Sequence, residues 1–210
     1  MLGVNARPVV AKIVAPVVRG LARAGVTADM VTIAGTVGAV AGAVLLFGTG
    51  HLFWGTVAVT FCVLLDLLDG ALARASGGGS VFGAVLDSTG DRAADAAIFA
   101  SLAWWFSGAG DNRLLVLLAL LCLVLGVLTS YIKARAEGVG LSCDVGIVER
   151  TERLILVLVG AGLSGLGVPY ALHVALWVLL AGSAVTVVQR VLAVRRSAAE
   201  AALPVRPTAP

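Results

Sequence analysis

Long apolar segments follow one another along the chain, and short polar connections separate them. A helix needs about 20 apolar residues to cross the hydrocarbon core of a bilayer, and each segment has roughly that length. The pattern therefore predicts an all-α integral membrane protein with six transmembrane helices. The predicted spans are residues 30–48, 52–74, 81–106, 113–135, 148–166 and 170–194.

A different pattern precedes the first span. In this N-terminal segment Lys12, Arg19 and Arg23 fall within about 40° of one another on a helical wheel, and apolar residues lie opposite them. The arrangement is typical of an amphipathic helix that lies on an anionic membrane surface. We therefore predict a juxtamembrane helix, after which Thr27 or Asp29 is suited to cap the first span.

These patterns divide the chain into three parts. The amphipathic surface helix occupies residues 1–28, and the six-helix membrane domain occupies residues 29–196. Residues 197–210 are rich in Ala and Pro and contain few large apolar side chains. Such a segment cannot bury enough apolar surface to order itself, so we predict a disordered C-terminal tail.

Composition supports a membrane protein and excludes other classes. Of the 210 residues, 60% are apolar and 13% are charged, and the mean hydropathy is +1.03. Soluble domains are about half apolar and about a quarter charged, so the chain resembles neither a disordered protein nor an ordinary soluble one. The net charge of +3 does not indicate nucleic-acid binding, because membrane proteins concentrate basic residues in their cytosolic loops.

The distribution of basic residues predicts the orientation of the spans. With a cytosolic N-terminus, nearly all Lys and Arg residues lie at cytosolic ends, and Arg113 is the clear exception. The positive-inside rule then predicts that both termini are cytosolic. Arg150, Arg195 and Arg196 are interpreted as ordinary flanking charges of this kind.

Five of the twelve acidic residues fall between positions 66 and 95, within the second and third spans. Asp66 and Asp69 share one helix face. Asp87, Asp91 and Asp95 repeat every four residues and share one face of the next helix. Because the two helices run antiparallel, the carboxylates meet at a similar depth. Each charged Asp costs about 2.5–3.5 kcal/mol in the bilayer, so we expect cations to neutralise them.

The chemistry of this cluster indicates metal ions. Oxygen ligands without His or Cys favour hard divalent cations, so we predict Mg²⁺ or Mn²⁺. Two such ions would neutralise four carboxylates, and paired metals are a recurrent device of phosphoryl transfer. Gly70 and Gly83 would let a bulky ligand approach the backbone. The other interpretations are a buried salt-bridge network, a cation transporter and a prenyltransferase.

The acidic residues belong to a longer motif of fixed spacing. It reads Asp66-x2-Asp69-Gly70-x2-Ala73-Arg74-x8-Gly83-x3-Asp87-x3-Asp91. The motif resembles the signature of the CDP-alcohol phosphotransferase family, and the six spans and amphipathic N-terminal helix are similar to that family as well. The resemblance implies an integral membrane homodimer that transfers a phosphatidyl or similar group from a CDP-linked donor to an alcohol and releases CMP. The Gly and Arg positions argue against the transporter and the prenyltransferase.

The resemblance also implies roles for single residues. The metal ligands would be Asp66, Asp69, Asp87 and Asp91, and Asp91 would also be the general base that deprotonates the acceptor hydroxyl. CDP would contact Asp66, Asp69, Gly70, Ala73, Arg74 and Gly83. The family often has Pro-Asn/Asp-x-x-Thr before the first span. Here Ala28 replaces the Pro, but Asp29 and Thr32 are present and are also expected to face the nucleotide.

A second group of residues bears on the acceptor. Lys133, Arg135, Arg153 and Arg190 lie near the cytosolic ends of the last three spans. Arg suits bidentate phosphate contacts, so we predict a pocket for a phosphorylated polyol. The surrounding segments resemble the actinobacterial phosphatidylinositol-phosphate synthases, which implies transfer from CDP-diacylglycerol to inositol 1-phosphate in a bacterial cell membrane. Phosphatidylglycerophosphate synthase with glycerol 3-phosphate is the alternative, because both acceptors carry a phosphate.

Overall fold

The computed structural model describes residues 15–75 and 78–201, except for the side chains of Asp66, Leu67 and Ala75. Within these ranges the chain forms helices joined by loops, and no strand occurs. The helices are α1 (15–23), α2 (Ala28–Leu46), α3 (Leu52–Ala75), α4 (Val81–Ser107), α5 (Arg113–Glu137), α6 (Arg150–Gly165) and α7 (Ala171–Ala201). The prediction of an all-α protein is confirmed for the described part of the chain.

Helices α2 to α7 coincide with the six predicted spans. Four of the described segments are long and apolar enough to cross a membrane, namely Ala28–Thr49, Leu52–Arg74, Arg113–Glu137 and Ala171–Ala201. These segments support a multi-pass membrane protein. The other two helices depart from the usual form of a span, because α4 carries several charges and α6 has 16 residues, about 24 Å of helix.

The ends of the chain differ from prediction in extent. Residues 1–14 of the predicted surface helix, including Lys12, lie outside the described residues, as do residues 202–210 of the predicted tail. Helix α7 continues to Ala201, so residues 197–201 are helical rather than disordered. The segment is rich in Ala, which has the highest intrinsic helix propensity, and it extends a helix that is already formed.

Polar side chains define where several helices begin. Thr27, Ser80 and Asn112 each accept a hydrogen bond from the backbone N–H three residues later, at 3.3, 2.8 and 3.1 Å. Glu149 and Glu152 form a capping box at the start of α6. Each side chain satisfies a donor that the first turn leaves without a partner. The predicted cap of the first span at Thr27 is confirmed.

The helices pack so that apolar side chains fill the interior and also cover the outside. Helix α2 lies against α3 and α4, α5 lies against α4 and α7, and α6 lies against α3 and α7. Phe47, Phe99 and Leu176 are buried between them, whereas Val37 and Trp104 are exposed. An exterior of this kind would be unfavourable in water and suits contact with lipid.

Small residues allow α2 and α3 to approach each other closely. A Cβ atom on Gly42 would lie 3.3 Å from the Ala58 Cβ atom, and one on Gly35 would lie 3.5 Å from the Cys62 carbonyl oxygen. Close approach of this type is typical of membrane helices with glycine at their interface. It brings Thr32 at the start of α2 next to Asp69 near the end of α3.

Candidate active site

A cavity of about 600 Å³ lies where the start of α2, the last turns of α3 and the first turns of α4 meet. The α1–α2 and α3–α4 connections complete its wall. Seven residues of the predicted metal and CDP sites line it: Asp29, Thr32, Asp69, Gly70, Ala73, Gly83 and Asp87. The structure therefore brings together most of the residues that the motif and the Asp29/Thr32 segment assigned to the donor substrate.

Two buried residues fix the geometry of one predicted metal ligand. The Thr32 hydroxyl donates a hydrogen bond to Asp69 Oδ2 at 2.5 Å, and both residues are buried. A short hydrogen bond to a charged acceptor is stronger than one between neutral groups. It therefore orients the Asp69 carboxylate toward the cavity that both residues line.

Gly83, in the first turn of α4, lines the cavity next to Asp29 and Ser80. A Cβ atom at this position would lie 3.0 Å from Asp29 Oδ1 and 3.1 Å from Ser80 Oγ. Few side chains tolerate contacts this short, so only glycine leaves the cavity and the Asp29 carboxylate undisturbed. The expectation that Gly83 lets a ligand approach the backbone stays a prediction.

Arg74 and Asp66 are the other two residues of the predicted CDP site. Arg74 is exposed near the cavity, and its Nη1 atom would lie 3.4 Å from a Cβ atom on Gly70. The Asp66 side chain lies outside the described residues, although its backbone belongs to α3. Its contact with CDP stays a prediction.

Three of the four predicted metal ligands, Asp69, Asp87 and Asp91, have described side chains. Asp69 and Asp87 line the cavity, whereas Asp91 lies one turn further along α4. Among the side chains that the structure describes, no three acidic, His or Cys residues lie close enough together to hold a metal ion. The carboxylate chemistry of Asp69 and Asp87 suits a hard divalent cation, and the complete ligand set stays a prediction.

Asp91 is held by arginine side chains. Its Oδ1 atom lies 2.7 Å from Arg150 Nη2, and its Oδ2 atom lies 3.7 Å from Arg92 Nη2. Arg150 is more than the flanking charge that its sequence position indicates, because it directly contacts the predicted base. Its position three residues before Arg153, on the same face of α6, was the available signal for this role.

Asp95, one turn beyond Asp91, forms the most deeply buried ion pair of the described residues. Arg153 donates to Asp95 Oδ2 from Nη2 at 2.6 Å and from Nε at 3.2 Å. The Arg153 side chain is 2% exposed. Arg150 Nε lies 3.7 Å from the other oxygen of Asp95, so this carboxylate faces two arginines of α6.

Arg190 is also buried, at the junction of α5, α7 and the α5–α6 loop. It donates to the carbonyl oxygens of Thr129 at 2.5 Å and of Val145 at 2.9 Å, and its Nη2 atom lies 3.4 Å from Glu149 Oε1. Carbonyl partners and one carboxylate stabilise a charge that would be costly alone in this environment. Arg190 thus joins the loop to two helices.

The last two predicted acceptor residues lie near the end of α5. Lys133 Nζ lies 2.8 Å from Asp144 Oδ1 and 3.8 Å from Glu137 Oε1, and Arg135 is exposed. The hydrogen bond and the charge of Lys133 lower the pKa of the Asp144 carboxyl below its usual value. Lys133, Arg153 and Arg190 therefore each have a different carboxylate partner, and a shared phosphate pocket stays a prediction.

An apolar groove of about 600 Å³ runs along the outside of the bundle between α3 and α6. Leu158, Val159 and Leu163 are among its lining residues, and Arg150 and Thr151 close one end. The groove therefore joins an apolar surface to an arginine that contacts Asp91. Such a shape can accommodate the tail of a lipid whose polar group reaches the charged end.

Comparison with known proteins identifies the family. Residues 25–189 match the family model described as CDP-alcohol phosphatidyltransferase. The chain is 56% identical to the phosphatidylinositol phosphate synthase of Mycolicibacterium smegmatis over 189 residues, covering 89% of this chain and 85% of that protein. It is 52% identical to the same enzyme of Mycobacteroides abscessus over 198 residues, covering 94% and 90%.

Solved structures agree with these matches. The crystal structure of Mycobacterium tuberculosis phosphatidylinositol phosphate synthase with CDP-DAG bound superposes with a TM-score of 0.87 at 48% identity, covering 95% of this chain and all of that one. The structure of that enzyme with manganese and citrate gives a TM-score of 0.86 at 49% identity, with 93% of both chains covered. The resemblance carried by the Asp motif is confirmed, and the chain belongs to the CDP-alcohol phosphatidyltransferase family of membrane transferases.

Proposed function

We propose that the protein transfers the phosphatidyl group of CDP-diacylglycerol to a hydroxyl of inositol 1-phosphate, giving phosphatidylinositol phosphate and CMP. The observation that carries this proposal is the cavity in which seven predicted donor-site residues meet. Relatives named phosphatidylinositol phosphate synthase match the chain over most of its length, and the Mycobacterium tuberculosis enzyme of that name has been solved with CDP-DAG bound.

The donor would bind in the cavity with its pyrophosphate near the aspartates. Asp66, Asp69, Asp87 and Asp91 would hold one or two divalent ions, and a related enzyme has been solved with manganese. Bound Mg²⁺ or Mn²⁺ would neutralise the pyrophosphate and stabilise the charge that develops on CMP. Thr32 would orient Asp69, and Gly70, Ala73 and Gly83 would leave space for the nucleotide.

Asp91 would act as the general base. An acceptor hydroxyl next to its carboxylate would lose its proton to Asp91 while the hydroxyl oxygen attacks the β-phosphorus of the donor. The new P–O bond replaces the bond to the α-phosphate oxygen, which leaves with CMP. The step needs no covalent enzyme intermediate, so a single displacement with inversion at phosphorus is expected.

The acceptor phosphate would be bound by Lys133, Arg135, Arg153 and Arg190. Their charge and their location near the starts and ends of α5, α6 and α7 support this assignment. In the structure two of them contact carboxylates of the α5–α6 loop, Asp144 and Glu149. An anionic acceptor would compete with these carboxylates, because a phosphate offers more charge and more acceptor oxygens to an arginine.

The arrangement in the membrane follows from the same assignment. We propose six spans, with α4 and α6 crossing alongside the four apolar helices, both termini in the cytosol and the active site at the cytosolic face of a bacterial cell membrane. The groove between α3 and α6 would hold an acyl chain of the donor. The family resemblance further implies a homodimer, which the molar mass of the purified protein in detergent would test.

One assay tests the reaction and its acceptor together. Purified protein is supplied with CDP-diacylglycerol, Mg²⁺ or Mn²⁺, and inositol 1-phosphate, glycerol 3-phosphate, inositol or serine, and both CMP and lipid product are measured. We expect release of CMP with inositol 1-phosphate, its loss on chelation of divalent ions, and its recovery when either metal is returned. Release with glycerol 3-phosphate alone would replace the proposed acceptor, and no release with any alcohol would contradict the transferase.

A further inference from the structure

Asp95 lies outside the signature motif, yet it faces the charged residues of α6. Its Oδ2 atom accepts both hydrogen bonds from Arg153, and its Oδ1 atom lies 3.7 Å from Arg150 Nε. Arg150 in turn contacts Asp91, the proposed base. A continuous row of alternating charges therefore runs from Asp91 through Arg150 and Asp95 to Arg153.

The backbone of α5 completes the surroundings of Arg153. A Cβ atom on Gly126 would lie 3.3 Å from Cζ, Nε and Nη1 of Arg153. Equal distances to three atoms of the planar group mean that the guanidinium lies flat over Gly126. The hydrogen bonds to Asp95 on α4 thus fix the orientation of the Arg153 guanidinium, and its packing on Gly126 of α5 fixes its distance from that helix.

Stability alone is a weak explanation for this arrangement. A buried ion pair often contributes no more to stability than apolar residues of the same volume, because both charges lose their hydration. Arg153 and Asp95 are both buried in a bundle whose other contacts are mostly apolar. A pair that brings little net stability but fixes one guanidinium between three helices is suited to positioning that guanidinium for a ligand.

We propose that Asp95 is a positioning residue that acts through Arg153 and sets the affinity for the phosphate of the acceptor. The inference rests on the proposed function, in which Arg153 contacts that phosphate. Asp95 accepts hydrogen bonds from Nε and Nη2 of Arg153 and so restricts the orientation of the guanidinium. Its role in the reaction is therefore to hold the acceptor-binding arginine at a fixed place relative to Asp91.

The test is a double-mutant cycle of Asp95→Asn and Arg153→Gln, with kcat and KM measured separately for inositol 1-phosphate and CDP-diacylglycerol. We expect Asp95→Asn to raise the acceptor KM about 10-fold or more and to leave the donor KM within about twofold. Because Asp95 acts through Arg153, the double variant should bind the acceptor no worse than Arg153→Gln alone. Asp111→Asn, exposed at the opposite end of the bundle, is the matched control.

The double variant and one further variant, Asp95→Glu, cover the case in which Asp95→Asn does not fold because Arg153 loses its partner. The double variant removes both charges, and Asp95→Glu keeps the pair while moving the carboxylate by one methylene. We expect Asp95→Glu to recover folding with an acceptor KM between those of the wild type and Arg153→Gln. Independent, multiplicative effects of the two substitutions, or equal increases in both KM values, would overturn the proposal.

The wild-type protein separates this inference from the proposed function. If it releases no CMP with any acceptor, the proposed reaction fails. The wild type, Asp95→Asn, Arg153→Gln and the double variant are then compared for binding of inorganic phosphate by isothermal titration. Loss of phosphate binding in Asp95→Asn and in Arg153→Gln, without further loss in the double variant, would still support the positioning role. Equal phosphate affinity in all four proteins would overturn it.

Discussion

The side chain of Asp91 lies between Arg92 of its own helix and Arg150 of α6. Both contacts place positive charge beside a carboxylate that would otherwise be costly in a helix bordered by lipid. The shorter contact, 2.7 Å to Arg150, also restricts the rotation of the carboxylate. A base that is oriented before the acceptor arrives needs little rearrangement for proton transfer.

Replacement of Asp91 by Asn removes the charge that would accept the proton in the proposed reaction and preserves the shape of the side chain. We expect Asp91→Asn to lower kcat for CMP release about 10²–10⁴-fold. Binding of CDP-diacylglycerol should persist, because Asp69 and Asp87 still line the cavity. Turnover and donor binding are measured on the same preparation, and a turnover near that of the wild type would exclude Asp91 as the base.

Gly83 offers a test of the donor cavity itself. In Gly83→Ala the new methyl group would meet Asp29 Oδ1 at 3.0 Å, so the carboxylate or the start of α4 must shift. We expect the KM for CDP-diacylglycerol to rise about 10-fold and the acceptor KM to stay constant. Gly20→Ala is the control, because a Cβ atom there meets nothing within 4 Å; an unchanged donor KM in Gly83→Ala would argue against nucleotide binding here.

That seven predicted residues line one cavity could be expected from sequence, because they belong to consecutive helices and most are part of a motif of fixed spacing. The contacts of Arg150 and Arg153 with Asp91 and Asp95 could not be predicted in this way. Arg153 is 58 positions from Asp95, and hydropathy does not reveal which face of α6 points toward α4. Arg150 was interpreted as flanking charge because a basic residue at the end of a span satisfies the positive-inside rule whether or not it has a partner.

Side chains of α7 hold the α5–α6 loop against that helix. Thr186 Oγ1 accepts a hydrogen bond from the Val148 N–H at 3.0 Å, and Arg190 donates to the Val145 carbonyl at 2.9 Å. An irregular segment must find partners for its backbone groups, and α7 supplies them at positions one helical turn apart. The loop that carries Asp144 and Glu149 is therefore fixed beside the proposed acceptor site.

Thr186 is buried and gives this attachment a direct test. Thr186→Val has a similar volume but cannot accept the hydrogen bond, so the Val148 amide loses its partner, at about 1–3 kcal/mol. We expect faster hydrogen exchange of amides in residues 145–149 and a lower Tm. Thr186→Ser retains the hydroxyl and should keep wild-type exchange; slow exchange in Thr186→Val would show that other contacts hold the loop.

Helix boundaries were largely predictable, since apolar segments end where Gly, Pro and polar residues begin. The predicted span 81–106 corresponds to Val81–Ser107, and 113–135 corresponds to Arg113–Glu137. The apolar pattern does not predict the extension of α7 to Ala201, because a helix can continue through residues of low hydropathy. The capping box that starts α6 at Arg150 set that boundary two residues later than the apolar pattern indicated.

For the molecule as a whole, charge is concentrated at one end of the bundle. Asp69, Asp91, Arg153 and Arg190 lie in the halves of their helices that the positive-inside rule assigns to the cytosol. The α4–α5 connection, at the opposite end, is short and lies before Arg113. The proposed topology can therefore be tested at two exposed loop positions that are expected to lie on opposite sides of the membrane.

Single cysteines at Ala109 and Ser142, both exposed, provide that test in a background where Cys62, Cys122 and Cys143 are replaced by Ala. We expect a membrane-impermeant maleimide to label Ala109→Cys in intact cells. Ser142→Cys should react only after the membrane is permeabilised. Labelling of both positions in intact cells would contradict an even number of spans with cytosolic termini.

Helix α6 has 16 residues, about 24 Å, and the hydrocarbon layer is about 30 Å thick. In the proposed topology α6 crosses the membrane, and hydrophobic mismatch of this size would thin the surrounding bilayer or draw headgroups inward at the helix ends. The thinned zone would lie along the groove between α3 and α6, where a lipid headgroup would travel a shorter distance to reach Arg150. We therefore expect turnover in reconstituted vesicles to rise as the acyl chains of the host lipid are shortened, because the bilayer itself shapes the donor's route into the enzyme.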